Sequence, residues 1–193
     1  VQEGRITDCG DAMSPDLERI IDLEPDAIML SPFENSGGYG RVEELGVPIV
    51  ECADYMETSA LGRAEWMKFY GRLFDKAQQA DSLFAEVDRS YQELKQLASE
   101  TESYPEVVAD MKTGSVWYVP GGQSTQGKLF ADAHAYYPYA DDTHSGSLAL
   151  SFEAVFDKCG EADVWIFRYN QPTTMTYRQL AADYAGNAEM KAF

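Results

Sequence analysis

Leu23-Glu24-Pro25-Asp26-Ala27-Ile28-Met29-Leu30, followed after a loop by Leu45-Gly46-Val47-Pro48-Ile49-Val50-Glu51-Cys52, holds two short apolar runs, each entered through a proline. Runs of this length without polar alternation suit strands covered on both faces, as in a parallel sheet. Upstream, Ser14-Pro15-Asp16-Leu17-Glu18 offers a helix cap, a proline for the first turn and early acids, and Leu17, Ile20, Ile21 and Leu23 supply an apolar stripe. A helix starting near Ser14 is expected. Between the strands, residues 31–40 form a glycine-rich loop carrying Phe33 and Tyr39, and a short helix is expected over Val42 to Leu45. The unit reads βαβ, with a right-handed crossover.

Farther out the pattern changes. From Ser59 to Ser99 there is no proline, the only glycines are Gly62 and Gly71, and Leu61, Ala64, Met67, Leu73, Ala80, Phe84, Val87, Tyr91, Leu94 and Leu97 recur at helical spacings. The segment reads as one long helix or two abutting ones, with an interruption near residues 71–75. A single helix of that length would span about 60 Å. The apolar positions do not keep a strict heptad, which disfavours a coiled-coil arm. After a polar break at 99–105 the α/β rhythm returns. Val107-Val108-Ala109-Asp110-Met111 and Ser115-Val116-Trp117-Tyr118-Val119 read as strands. A helix capped by Ser124 or Thr125 follows, then a polar loop at 141–147, a helix from Ser151, and a last buried strand, Ala162-Asp163-Val164-Trp165-Ile166-Phe167. The expected fold class is α/β: two Rossmann-like lobes with parallel sheets, joined by a long backbone helix. The expected division is 1–58 for part of the first lobe, 59–100 for the inter-lobe helix and 101–193 for the second lobe.

The charge balance narrows the function. With 33 acidic against 15 basic residues the net charge is -18, which disfavours a nucleic-acid partner. Cys9, Cys52 and Cys159 lie far apart and form no Cys/His cluster, so neither a zinc site nor a disulfide framework is signalled. His134 and His144 have no metal-ligand spacing, and no metal or cofactor is expected. Ser145 or Ser147 with His144 lacks a nucleophile elbow, so no catalytic residue is assigned.

Open α/β sheets bind ligands at the carboxyl ends of their strands. Those loops, at 31–40, 53–57, 120–124 and 168–171, hold or adjoin Phe33, Tyr39, Tyr55, Tyr118 and Tyr169, whose flat apolar faces and polar edges suit a macrocycle or catecholate ring, although each could equally fill a lobe surface. Arg168, with Asn170 nearby, sits at the end of the last strand, where its guanidinium fork could pair with a carboxylate or a negatively charged chelate, or with one of the chain's own acids. Gly121-Gly122-Gln123-Ser124 could cradle an anion on backbone amides or could simply turn the chain into a helix capped by Ser124. It lacks the lysine and spacing of a P-loop.

Three features together resemble the solute-binding proteins of ABC importers for iron-siderophores, haem and cobalamin. They are the Leu23 to Leu30 and Leu45 to Val50 pairing, the helical segment with Gly71-Arg72-Leu73-Phe74 and Lys76-Ala77-Gln78-Gln79-Ala80, and the later Phe130-Ala131-Asp132-Ala133, Leu150-Ser151-Phe152-Glu153-Ala154-Val155 and Ala162 to Ile166 runs. The resemblance implies a non-enzymatic receptor, periplasmic or lipid-anchored outside the cytoplasm, that captures a ferric-siderophore, haem or cobalamin-like ligand between two lobes and delivers it to a membrane permease. Its ligand-binding candidates are Phe33, Tyr39, Tyr55, Tyr118, Gln123, Ser124, Arg168, Tyr169 and Asn170. Family members also dock on the permease through one exposed glutamate per lobe, without the sequence marking which. Members are longer, so the chain reads as an internal portion of such a protein. The alternative is a small α/β enzyme that uses the Pro120 to Ser124 loop and Arg168 on an anionic substrate.

Overall fold

The computed structural model describes residues 6–11, 14–31, 39–169 and 174–183. It divides into two compact units, Val1–Met56 and Glu57–Phe193.

In the first unit, β1 (Gly10–Asp11) pairs antiparallel with β2 (Ser14–Pro15), and α1 (Leu17–Asp22) follows. The helix cap is Asp16, whose carboxylate accepts from the Arg19 amide at 3.2 Å, and not Ser14 as expected. The proline explains the shift: the residue before a proline is pushed out of the helical region, so Ser14 stays extended and pairs with Asp11. Leu23 closes α1, Glu24 takes a left-handed φ of 45°, and Pro25 prevents continuation. β3 (Ile28–Leu30) and β4 (Ile49–Glu51) then pair in parallel with Ile28 opposite Ile49. The crossover contains a 3-10 turn over Gly40–Leu45, tighter than the α-helix expected, and Gly46 ends it at φ 69°. A second 3-10 turn spans Asp54–Met56. Val42 and Cys52 are the buried apolar residues of the described part of this unit.

The second unit begins with α2 (Ala60–Leu73), capped by the Ser59 hydroxyl, and α3 (Ala77–Ser99). The interruption expected at 71–75 is present: Asp75 takes a left-handed φ of 54°, and the chain folds back. Gly71 lies against Ala80, Arg72 pairs with Asp81 at 3.3 Å, and the Lys68 ammonium sits 3.8 Å over the Phe84 ring. Contacts that recede evenly on both sides of the turn define two helices packed against each other. The segment is therefore not one continuous rod.

Beyond α3, β5 (Val107–Ala109) pairs in parallel with β9 (Val164–Ile166). A separate antiparallel sheet has the order β6 (Lys112–Thr113), β7 (Val116–Pro120), β8 (Ser147–Leu150). Parallel pairing thus holds for β3 with β4 and for β5 with β9, whereas β7 joins antiparallel neighbours. Gly114, at φ 63°, begins a two-residue turn from β6 to β7, and so short a link can only reverse the chain. α4 (Thr125–Asp132), α5 (Phe152–Cys159) and α6 (Tyr177–Asp183) complete the elements.

The core of this unit gathers Val107, Val108 and Ala109 of β5, Trp117 and Val119 of β7, Phe130 of α4, Tyr137, Tyr139, and Phe152, Val155 and Cys159 of α5. Trp117 is 0% exposed and donates its indole N–H to the Ala109 carbonyl at 2.9 Å, tying β7 to β5 through the one polar atom it buries.

Candidate functional site

The two units carry separate clusters at the carboxyl ends of their parallel strands. In the first, β4 ends at Glu51, and Tyr39 from the preceding crossover donates its hydroxyl to the Glu51 carboxylate at 2.8 Å. The Tyr39 amide also donates to Glu43 Oε1 at 2.7 Å. Partial burial of the ring, the bond to Glu51 and the nearby carboxylates push the Tyr39 hydroxyl up to about 12. It is a phenol at any physiological pH, its proton committed to a carboxylate. Tyr55, in the 54–56 turn, is exposed and near enough to feel the charge state of Tyr39. These two predicted residues therefore share one corner with Glu51. Phe33 lies outside the described residues.

In the second unit, Asp110 follows β5 with a left-handed φ of 60° and Arg168 follows β9. The parallel register brings the two strand ends together, with Ala109 opposite Ile166, so that Arg168 Nε pairs with Asp110 Oδ1 at 3.4 Å. Asp110 is fixed from several sides: its amide donates to the Ile166 carbonyl and its own carbonyl accepts from the Trp165 indole at 2.8 Å. The carboxylate is 16% exposed and the arginine side chain 86% exposed. The salt-bridge reading of Arg168 is thus the one the structure realises. Its Nε edge is anchored by an acid, and most of the guanidinium stays open to a further anion. Tyr169, next in the chain, is half-buried, and Asn170 lies outside the described residues.

Tyr118 belongs to the antiparallel sheet, where strand alternation buries Trp117 and Val119 and leaves Tyr118 48% exposed. The turn after β7 departs from the anion-cradle expectation. The Gly121 amide donates to the Gly146 carbonyl, the Gln123 amide to His144 and the Ser124 amide to Gly121, so three of the amides that would face an anion are spent inside the loop. Gly121 and Gly122 are required there for close approach, since a Cβ would strike the carbonyls of His144 and Ala140. Ser124 is buried and caps α4: it accepts from the Gly127 amide at 3.0 Å and donates to the Gly121 carbonyl at 2.6 Å. The Gln123 side chain is exposed.

No sequence signal singled out Asp110 or its pairing with Arg168, because the partnership spans 58 positions and depends on strand register. The clue available was positional: Asp110 is the first polar residue after an apolar strand. Elsewhere, His144 bonds the Asp142 carboxylate at 3.0 Å on an exposed loop. The backbone and ring bonds from His144 hold the Asp142 carboxyl below its usual range. Among the described residues no hydroxyl or thiol is hydrogen-bonded to that imidazole, and no group of three or more His, Cys, Asp or Glu residues is placed to hold a metal. Nor is any described helix long and apolar enough to cross a membrane.

Comparison with known proteins adds the following. Residues 1–192 match the family model described as "Periplasmic binding protein". An uncharacterized lipoprotein of Methanocaldococcus jannaschii is 26% identical over 92% of this chain, and the chain spans 43% of that relative's length. An ABC transporter substrate-binding protein from Listeria monocytogenes EGD-e has a similar fold, with a TM-score of 0.74, 18% identity, and coverage of all of this chain and 72% of its own. IsdE of S. aureus, solved in complex with haem, superposes with a TM-score of 0.69 at 15% identity, covering all of this chain and 72% of its own.

Proposed function

This chain belongs to the periplasmic binding protein family, and from that premise we propose that it is a portion of an extracytoplasmic receptor that captures an iron-siderophore, haem or cobalamin-like ligand for an ABC permease. The observation that carries the ligand class is the anchored, open guanidinium of Arg168 at the end of β9. A cation held on one edge and exposed on the other keeps its geometry while its remaining N–H groups meet a carboxylate or an anionic chelate. Tyr118, Tyr169, Tyr39 and Tyr55 supply aromatic surface of the kind a macrocycle or catecholate stacks on, and Gln123 an exposed amide. Ser124 serves by holding the 121–124 turn. In this reading residues 1–58 and 101–193 contribute the two ligand-binding lobes, and the helical segment 59–100 separates them in the chain. The lipoprotein relative and the haem-carrying structural neighbour support placing the protein outside the cytoplasm with a ligand of this class.

Docking to the permease falls to Glu18 and Glu153. Each is exposed and stands in the first turn of a helix, two residues past its capping side chain, Asp16 in one unit and Ser151 in the other. Each helix leads through an aspartate, Asp26 or Asp163, into a parallel strand, so the two glutamates occupy equivalent positions in a repeated helix-strand motif. The test is a binding assay with the cognate permease in nanodiscs. Glu18→Ala with Glu153→Ala should weaken docking and leave ligand affinity intact; unchanged docking refutes the assignment.

A further inference from the structure

At the entry end of β5, on the side away from Asp110, lies a groove of about 590 Å³ whose wall includes the rings of Tyr104, His134, Tyr136 and Tyr137. Tyr104, from the segment between α3 and β5, contacts the His134 ring at 4.9 Å and 49° and the Tyr136 ring at 6.0 Å and 54°. The backbone fixes this corner. Tyr136 exchanges hydrogen bonds with the strand entry, its amide to the Pro105 carbonyl and its carbonyl from the Val107 amide, while His134 is held past the end of α4 at a left-handed φ of 55°. Tyr104 and Tyr136 are half exposed, and Tyr137 and Asp141 complete the lining.

Three other aromatic rings of this unit have a cation from the chain itself. Lys68 lies over Phe84, Lys112 over Phe152 and Lys158 over Tyr139. Among the described residues, the lining of the Tyr104 groove has no lysine or arginine and does have a carboxylate, Asp141, on a chain of net charge -18. Tilted ring faces carry negative potential that attracts a desolvated ammonium, and a nearby carboxylate adds to it. The Asp141 carboxylate in the same lining disfavours an anion.

We propose that the Tyr104, His134, Tyr136 and Asp141 groove binds an organic cation of the alkylammonium or quaternary ammonium class, independently of the Arg168 strand-end site. The volume lies within the range of small-molecule pockets. The test titrates the 193-residue chain with tetramethylammonium chloride, following the Tyr104 and Tyr136 ring resonances by NMR, against tert-butanol as a neutral probe of similar shape and sodium chloride as a salt control. The expected result is saturable shifts for tetramethylammonium, with tert-butanol about tenfold weaker or worse, as a cation–π contribution requires. Tyr104→Leu should weaken binding about tenfold, Tyr104→Phe should retain it, and Arg168→Ala should leave it unchanged. Circular dichroism and Tm confirm that each variant is folded. Equal response to tert-butanol, absence of saturation, or full retention by a folded Tyr104→Leu variant overturns the proposal.

Discussion

The two units solve the same problem with very different means. The first pairs two three-residue parallel strands and buries Val42 and Cys52, while Ile21, Leu23 and Met29 keep large exposed areas. The second builds a contiguous core around Trp117 and crosses it with side-chain ties: Thr125 to the Glu57 carbonyl at 2.7 Å, Lys128 to Thr58 at 3.1 Å, and Tyr91 with Lys95 on Asp132. Buried apolar area is the main favourable term in folding. Stability therefore resides in the second unit, and its strand-end arginine stands on the firmer base. The first unit contributes aromatic and acidic groups on a lightly packed frame.

The largest effect that could break this contrast is at Trp117. Trp117→Ala should cost about 3–5 kcal/mol, close to the whole stability of a marginal domain. Val42→Ala, in the first unit, should cost no more than about 1.5 kcal/mol. Denaturant melts of the two variants check both, and similar losses would dissolve the distinction. Native-state hydrogen exchange should find Val108 and Val119 protected far longer than Met29 and Val50.

A smaller effect is expected where α2 meets α3. Gly71 faces Ala80 so closely that a new Cβ would collide with it, and Gly71→Val should cost about 1–3 kcal/mol, read as a drop in Tm. Smaller again is Ser124→Ala, which removes the α4 cap for about 1 kcal/mol. If ligand affinity falls more steeply than stability in that variant, Ser124 does more than hold the turn.

The smallest is a pH effect at Asp132. Desolvation opposes its ionisation, but the hydrogen bonds from Lys95 and Tyr91 prevail and hold the carboxyl below its ordinary 3.8. A lowered folded-state pKa gives stability that is present above the ordinary value and lost as pH falls through the folded one. Asp132→Asn should therefore flatten the acid limb of the stability curve by less than about 1 kcal/mol, because the pair is partly solvated. An unaltered acid limb below the ordinary carboxylate value of 3.8 would show that the network contributes nothing.

Local chemistry made much of this fold legible. The apolar runs at 28–30, 49–51, 107–109 and 164–166 became strands, Ser124 caps α4, a helix begins after Ser151, and the Gly71 to Asp75 interruption divides the helical segment. The misreadings have equally local causes. Ser14 looked like a cap because its side chain suits one, but Pro15 removes the backbone conformation it would need. Leu148 to Leu150 went unread as a strand because β8 is short and follows a polar loop, and its place is set by antiparallel pairing with β7. At the candidate site, the place of Arg168 just past the last strand was legible. Its pairing with Asp110 was not, since strand register brings together residues that no local pattern connects.

The most direct test of the central claim is a visible-absorption titration of wild type and Arg168→Ala with haemin, cobalamin and a panel of ferric siderophores, in this chain and in the full-length protein. The account predicts a saturable spectral change with one ligand class, weakened about tenfold or more in Arg168→Ala with Tm little changed. No response from any of these ligands in the full-length protein, or equal affinity in the folded variant, would contradict it.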